Sequence, residues 1–145
     1  MRKRVCISLM ALSFLVSMAA GAPASAKSVN AMKAQIPFDF HVGDTLIPAG
    51  AYTVRSVNDD ETMLRISDGK HGAAVNVNSA QERAGKGSRL VFRKYGDQYF
   101  LAAIWSGDSS GRALSASKRE RSLRKELTAA QRSMGDAETV IVTLH

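Results

Sequence analysis

The chain has one cysteine, Cys6, and it stands near the start, at the head of an apolar run. Everything downstream is therefore without thiolate chemistry, thiolate metal ligands or a disulfide framework. Histidine is nearly as scarce: His41, His71 and His145 are the whole supply, and none shows the paired spacing of a zinc site. The apolar run, 5–20, has 16 residues, short of the roughly 20 that span a bilayer. A retained membrane anchor is thereby disfavoured, and the pattern also lacks internal repeats and linkers.

What the first residues do contain is an export signal. Arg2, Lys3 and Arg4 precede the apolar run, and Ala24-Ser25-Ala26 puts small residues where a signal peptidase reads them. Residues 1–26 are expected to be removed, leaving a protein of the periplasm or the extracellular space. Cys6 lies at the start of the run rather than after it, so lipidation does not fit. The formal charge drops from +7 to +4 when Arg2, Lys3 and Arg4 leave, and the block 118–132 carries six cations against Glu120 and Glu126. The remainder is close to neutral. The basic character thus belongs to one element and does not argue for a nucleic-acid partner.

Within 27–145 the expectation is a flexible stretch 27–34 and a single β-rich domain 35–145. Ile36, Phe38, Phe40 and Val42 alternate with polar positions as one half-buried strand, with Pro37 suited to an edge. Gly43-Asp44, Pro48-Ala49-Gly50, Asp68-Gly69 and Gly96-Asp97 read as turns, Asp68-Gly69 as a two-residue hairpin whose return strand runs on to Asn78. Residues 99–105 are apolar on both faces, which predicts a central strand covered from both sides. Ser117 with Glu120 predicts a capping box and a helix over 117–134, with Leu123, Leu127, Ala130 and Met134 in one narrow stripe and Gly135 as its stop. Val140, Val142 and Leu144 make a last strand. The fold expected is all-β in the main, an antiparallel meander forming a small barrel or sandwich with one C-terminal helix packed on it.

Several stretches imitate catalytic motifs. Gly107-Asp108-Ser109-Ser110-Gly111 nearly matches the nucleophile segment of chymotrypsin-like proteases, but it departs at the fourth residue and the necessary histidine context is missing. Ser67 to Lys70 and Ser115 to Lys118 fit S-x-x-K only as a turn and a helix cap, and Gly85-Lys86-Gly87-Ser88 separates lysine from serine where a phosphate loop joins them. Asp39 and His41 share a strand face, and with His71 they would form a metal or hydrolytic site only if folding brought all three together. Asp59-Asp60-Glu61 lacks the length and glycine of a calcium loop.

Two binding candidates stand above these. Arg121, Arg124 and Lys125, with Lys118, Arg119 and Arg132, would meet an anionic envelope surface or glycan, against the plainer reading of a solvated helix face. Tyr52, Tyr99 and Trp105 would line a pocket for a small apolar molecule between sheet and helix, against the plainer reading of core filling. Neither needs a metal or cofactor, and a non-catalytic binding or envelope-associated module is the function expected.

Ile36-Pro37-Phe38 with Phe40, Val42 and Gly43, then Leu46-Ile47-Pro48-Ala49-Gly50 with Tyr52 and Val54, resembles the opening I-P-F-x-F-x-x-G … L-P-A-G-x-Y-x-V of a group of small exported bacterial β-rich proteins of unknown function. Residues 95–105 and 117–126 are similar to later segments of that group. Here Ile47 stands between Leu46 and Pro48, where the group has L-P-A-G. The resemblance implies export and a β fold, and no activity.

Overall fold

The computed structural model describes residues 31–82, 86–107, 109–130 and 137–145. Its strands are β1 (Met32–Ile36), β2 (Phe40–Val42), β3 (Thr45–Ile47), β4 (Gly50–Ser56), β5 (Met63–Ser67), β6 (Gly72–Asn76), β7 (Asn78–Gln81), β8 (Arg89–Tyr95), β9 (Gln98–Trp105) and β10 (Ser110–Ala113). Helix α1 (Lys118–Ala130) and strand β11 (Glu138–Thr143) follow. The protein is mainly β, with one C-terminal helix and a final strand, and its two sheets pack as a sandwich.

The first sheet has the order β1-β4-β5-β6. The second runs β11-β8-β9-β10-β7, with β2 lying parallel to the start of β9 and β3 paired on β2. Strand β9 is central, as its doubly apolar sequence predicts: Phe100, Leu101, Ala102, Ala103 and Ile104 are buried in succession. β8 flanks it along one side, while β2 and β10 share the other, at opposite ends. The parallel β2–β9 pair is a departure from a simple meander.

The alternation at 36–42 proves to be two strands in two sheets. Pro37 cannot donate to a ladder, so β1 ends at Ile36, and β2 resumes at Phe40 in the opposite sheet. Ile36, Phe40 and Val42 nonetheless all face the same interior. β1 also begins at Met32, inside the stretch expected to be flexible, because its register against β4 extends to the pair Met32 and Val54. The return strand after Asp68-Gly69 divides likewise, with β6 in the first sheet and β7 in the second, on either side of buried Val77.

Between the sheets, Ile36, Phe40, Tyr52, Val54, Ile66, Leu90, Phe92 and Ile104 are almost wholly buried. Phe40 meets Phe92 edge to face, with centroids 5.4 Å apart, and meets Tyr52 the same way at 5.5 Å. Each such side chain contributes about 1.5–3 kcal/mol of transfer free energy, which holds a domain without disulfides. One edge of the sandwich is stitched where Lys33 and His145 exchange backbone hydrogen bonds of 3.2 and 3.0 Å. On the other, the β6–β7 segment passes directly from sheet to sheet.

Turns follow their side chains. Gly43 (φ 61) and Gly96 (φ 62) each take the first central position of a two-residue hairpin, the position that type II′ turns give to glycine. The Asp68-Gly69 connection is a four-residue loop rather than a two-residue turn. Asp68 Oδ1 accepts from the backbone amides of Lys70 (2.7 Å) and His71 (2.5 Å), and this side-chain cap makes the longer loop favourable.

Candidate functional site

The apolar ends of β4, β5 and β9 do not meet completely at one end of the sandwich. They leave a cavity of about 790 Å³, floored by Met32, Val54, Leu64, Ile104 and Leu144. Its rim is polar, with Arg55, Ser56, Ser88, Ser106, Arg112 and His145. Arg112 of β10 reaches across to the β4–β5 loop, where its Nε donates to the Glu61 carbonyl at 3.2 Å and its guanidinium pairs with the Glu61 carboxylate. That bridge ties the two sheets at the mouth. Glu61 (φ 50) and Ser109 (φ 71) take left-handed backbone without being glycine, and both belong to loops edging the cavity. Strain of this kind costs of order 1–3 kcal/mol and gathers at sites that need a fixed geometry.

A second polar constellation lies at the other end of β9, beneath the start of α1. Glu120 is the helix's one buried residue among those described, 2% exposed. Its carboxylate accepts from Arg93 Nε (2.5 Å) and Arg93 Nη2 (3.0 Å), and from the Tyr95 hydroxyl at 3.1 Å. Burial, then the neighbouring Glu120 carboxylate, pushes the Tyr95 hydroxyl above the usual tyrosine range. The capping box is thus half made. Ser117 Oγ accepts from the Glu120 amide at 3.1 Å, but the Glu120 carboxylate is spent on the sheet. Asp44 takes over at the helix start by accepting from the Arg119 amide at 3.1 Å, and that bond holds its carboxyl below the ordinary aspartate range.

Beside this seat, His41 is 5% exposed and stacks on Phe100, with ring centroids 4.6 Å apart. Among the described residues its Nδ1 has no hydrogen-bond partner. Burial chiefly, and then the charge of Arg119, lowers its pKa from 6.5; Asp44 and Gln98 oppose the shift. Alternation along 36–42 puts His41 on an outer face, and so it is, but this outer face of the second sheet is covered.

The remaining candidates separate. Asp39 accepts from the Ala49 amide at 2.8 Å and closes the Pro48-Ala49-Gly50 turn. His71 pairs with Asp68 at 3.1 Å in its own exposed loop. His41 stacks on Phe100 beside Arg119, so the three are committed separately, and among the described residues no three His, Cys, Asp or Glu groups are placed to hold a metal ion. Tyr52 is core, its hydroxyl donating to the Pro48 carbonyl at 2.7 Å. Tyr99 stacks on Phe38 with centroids 3.9 Å apart, at the end of β9 away from the cavity. Trp105 lies at the cavity end but on the outer face, packed on Gly111 with the Arg89 guanidinium 5.2 Å above it. None of the three lines the end cavity. The end cavity lies between the sheets, not between sheet and helix, and its aliphatic lining carries no aromatic flag in the sequence.

On α1, Arg121, Arg124 and Lys125 are exposed, while Leu123 and Leu127 are half-buried. The stripe expected to seat the helix is therefore only partly used, and the deep anchor is Glu120. Ala130 is exposed, and Met134, Gly135 and Arg132 fall outside the described residues. No described helix is long and apolar enough to cross a membrane.

Comparison with protein-family models, with curated proteins and with solved structures finds no match for this chain.

Proposed function

We propose that this is an exported, non-catalytic binding module whose ligand is a small, partly apolar molecule seated in the end cavity between the sheets. The observation that carries the reading is the cavity itself: about 790 Å³, with an aliphatic floor and a rim of arginine and serine. Ligand sites fall at roughly 300–1,000 Å³ and combine apolar walls with a few convergent polar groups. The non-catalytic part is supported by the occupations of Asp39, His41 and His71, each committed to a turn, a stacking contact or a loop. Export rests on the leader and on the resemblance of 36–54 to small exported proteins. Its test is the N-terminal sequence of the protein recovered from the envelope, expected to start at Lys27.

The binding test uses 1-anilinonaphthalene-8-sulfonate as probe. Ser106→Trp and Ser56→Trp place indoles at the mouth, and each is expected to weaken probe binding about tenfold or more with an unchanged far-ultraviolet spectrum. Equal probe binding by wild type and both variants rules the cavity out. A second reading, contact with an anionic envelope surface or glycan through α1, is favoured by the exposure of Arg121, Arg124 and Lys125 on a helix anchored mainly by its first turn.

A further inference from the structure

We propose that α1 is a headgroup-docking face, and that its partner is the flat surface of an anionic phospholipid bilayer. The inference rests on the second reading above and names the partner. Glu120, Leu123 and Leu127 turn toward the body, and at helical spacing this puts Lys118, Arg121 and Lys125 in one row on the opposite side, with Arg124 beside it. The row is about 10 Å long at 1.5 Å per residue. Among the described residues no carboxylate lies within ion-pair distance of these four cations. Glu120 is committed to Arg93 and Tyr95, and Asp44 to the helix amide.

The shape of the charge selects the partner. A straight row of cations on a convex helix offers a plane of charge and no groove, and it carries no aromatic side chain on which a sugar would stack. A bilayer surface matches a plane. The leucines face the body, so the contact is electrostatic and without insertion, and it is lost at high salt. Each cation near an anionic surface strengthens partitioning about fivefold. Asp59, Asp60 and Glu61 sit on the β4–β5 loop beside the cavity, at the Trp105 end of β9, whereas α1 begins at its Gln98 end, so that acidic loop is held away from the row; the carboxylates nearer to it are Glu126, about 100° round α1 from Lys125, Asp44 at the helix start and Asp97 in the β8–β9 turn. Those ends are about 23 Å apart at 3.3 Å per residue, so the cavity mouth stays open to solvent when α1 is docked.

The experiment is co-sedimentation of the purified protein with phosphatidylcholine vesicles, with and without phosphatidylglycerol, at low and high salt, alongside retention on immobilised heparin. The variants are a helix triple, Lys118→Gln with Arg121→Gln and Lys125→Gln, and a control triple of equal charge change, Lys33→Gln with Arg65→Gln and Lys70→Gln. Expected are binding to the anionic vesicles only, its loss at high salt, a fall of about a hundredfold in the helix triple, and near-wild-type binding in the control. Binding to neutral vesicles, or an equal fall in both triples, overturns the proposal. Retention on heparin without vesicle binding overturns the lipid partner while the anionic contact of α1 stands, and binding to neither removes both.

Discussion

Glu120→Ala removes the acceptor that Arg93 and Tyr95 share. Taking one partner from a buried ion pair costs about 3–5 kcal/mol, because a desolvated charge is left behind. Two features set the value here. The Arg93 side chain keeps 29% of its exposure, so water recovers part of its hydration and pulls the cost toward the low end. The buried Tyr95 hydroxyl loses its acceptor, which adds about 1 kcal/mol. We expect about 3 kcal/mol, concentrated on α1, since the core between the sheets includes no residue of the helix. A helix of 13 residues is marginal by itself, so undocking melts it. Hydrogen exchange should therefore rise about a hundredfold across the α1 amides, while the β8 and β9 amides and the thermal midpoint of the sheets stay nearly unchanged. The pair Glu120→Leu with Arg93→Leu should recover most of the protection. Unchanged exchange in α1, or an equal rise in every strand, would refute the claim that this carboxylate is the anchor.

Other expectations follow from the same geometry. Because burial and Arg119 lower the His41 pKa, the unfolded state binds the proton more tightly; stability is full above about 6.5 and falls as pH drops below it toward the folded pKa. Urea unfolding of wild type across that window should show the slope and His41→Phe should abolish it; identical slopes would discard the idea. The Asp68 carboxyl, held at about 2 chiefly by the His71 amide, contributes stability above the ordinary aspartate value that is lost as pH falls toward 2; an NMR titration giving an unshifted Asp68 would contradict the loop cap. Gly111→Ala puts a Cβ within 2.8 Å of the Trp105 ring and should cost about 1–3 kcal/mol, with a change in tryptophan emission; a neutral variant would mean that the strand pair yields easily.

What was legible in the sequence was mostly local. The β8–β9 hairpin around Gly96-Asp97, the doubly covered β9 and the helix start at Ser117 each depend on neighbours in the chain. Hydrophobic alternation reports which side chains face the interior, but two sheets share that interior, so it could not say that Ile36 and Phe40 belong to different sheets. The outer face of a sheet reads as solvent unless something covers it, and the Arg119 charge that acts on buried His41 comes from a helix far along the chain. Glu120 reads as a reciprocal cap; a buried ion pair with Arg93 of the sheet displaced that role. The cavity was the least visible feature, because its floor is made of the same aliphatic residues that fill a core.

The parallel seam between β2 and β9 also bears on the order of assembly. β8 and β9 are joined by a two-residue turn, and their pairing closes almost no chain, whereas Phe40 reaches Tyr99 only after a long intervening segment is looped out. Loop-closure entropy makes the hairpin the early event and the seam a late one. Conservative substitutions in β9 facing β8 should therefore slow refolding, and those in β2 should chiefly hasten unfolding, a contrast that φ-value measurements read directly. The Gly43-Asp44 turn, which receives the helix, directly follows β2, so the seat of α1 would be completed only in the last stage of folding.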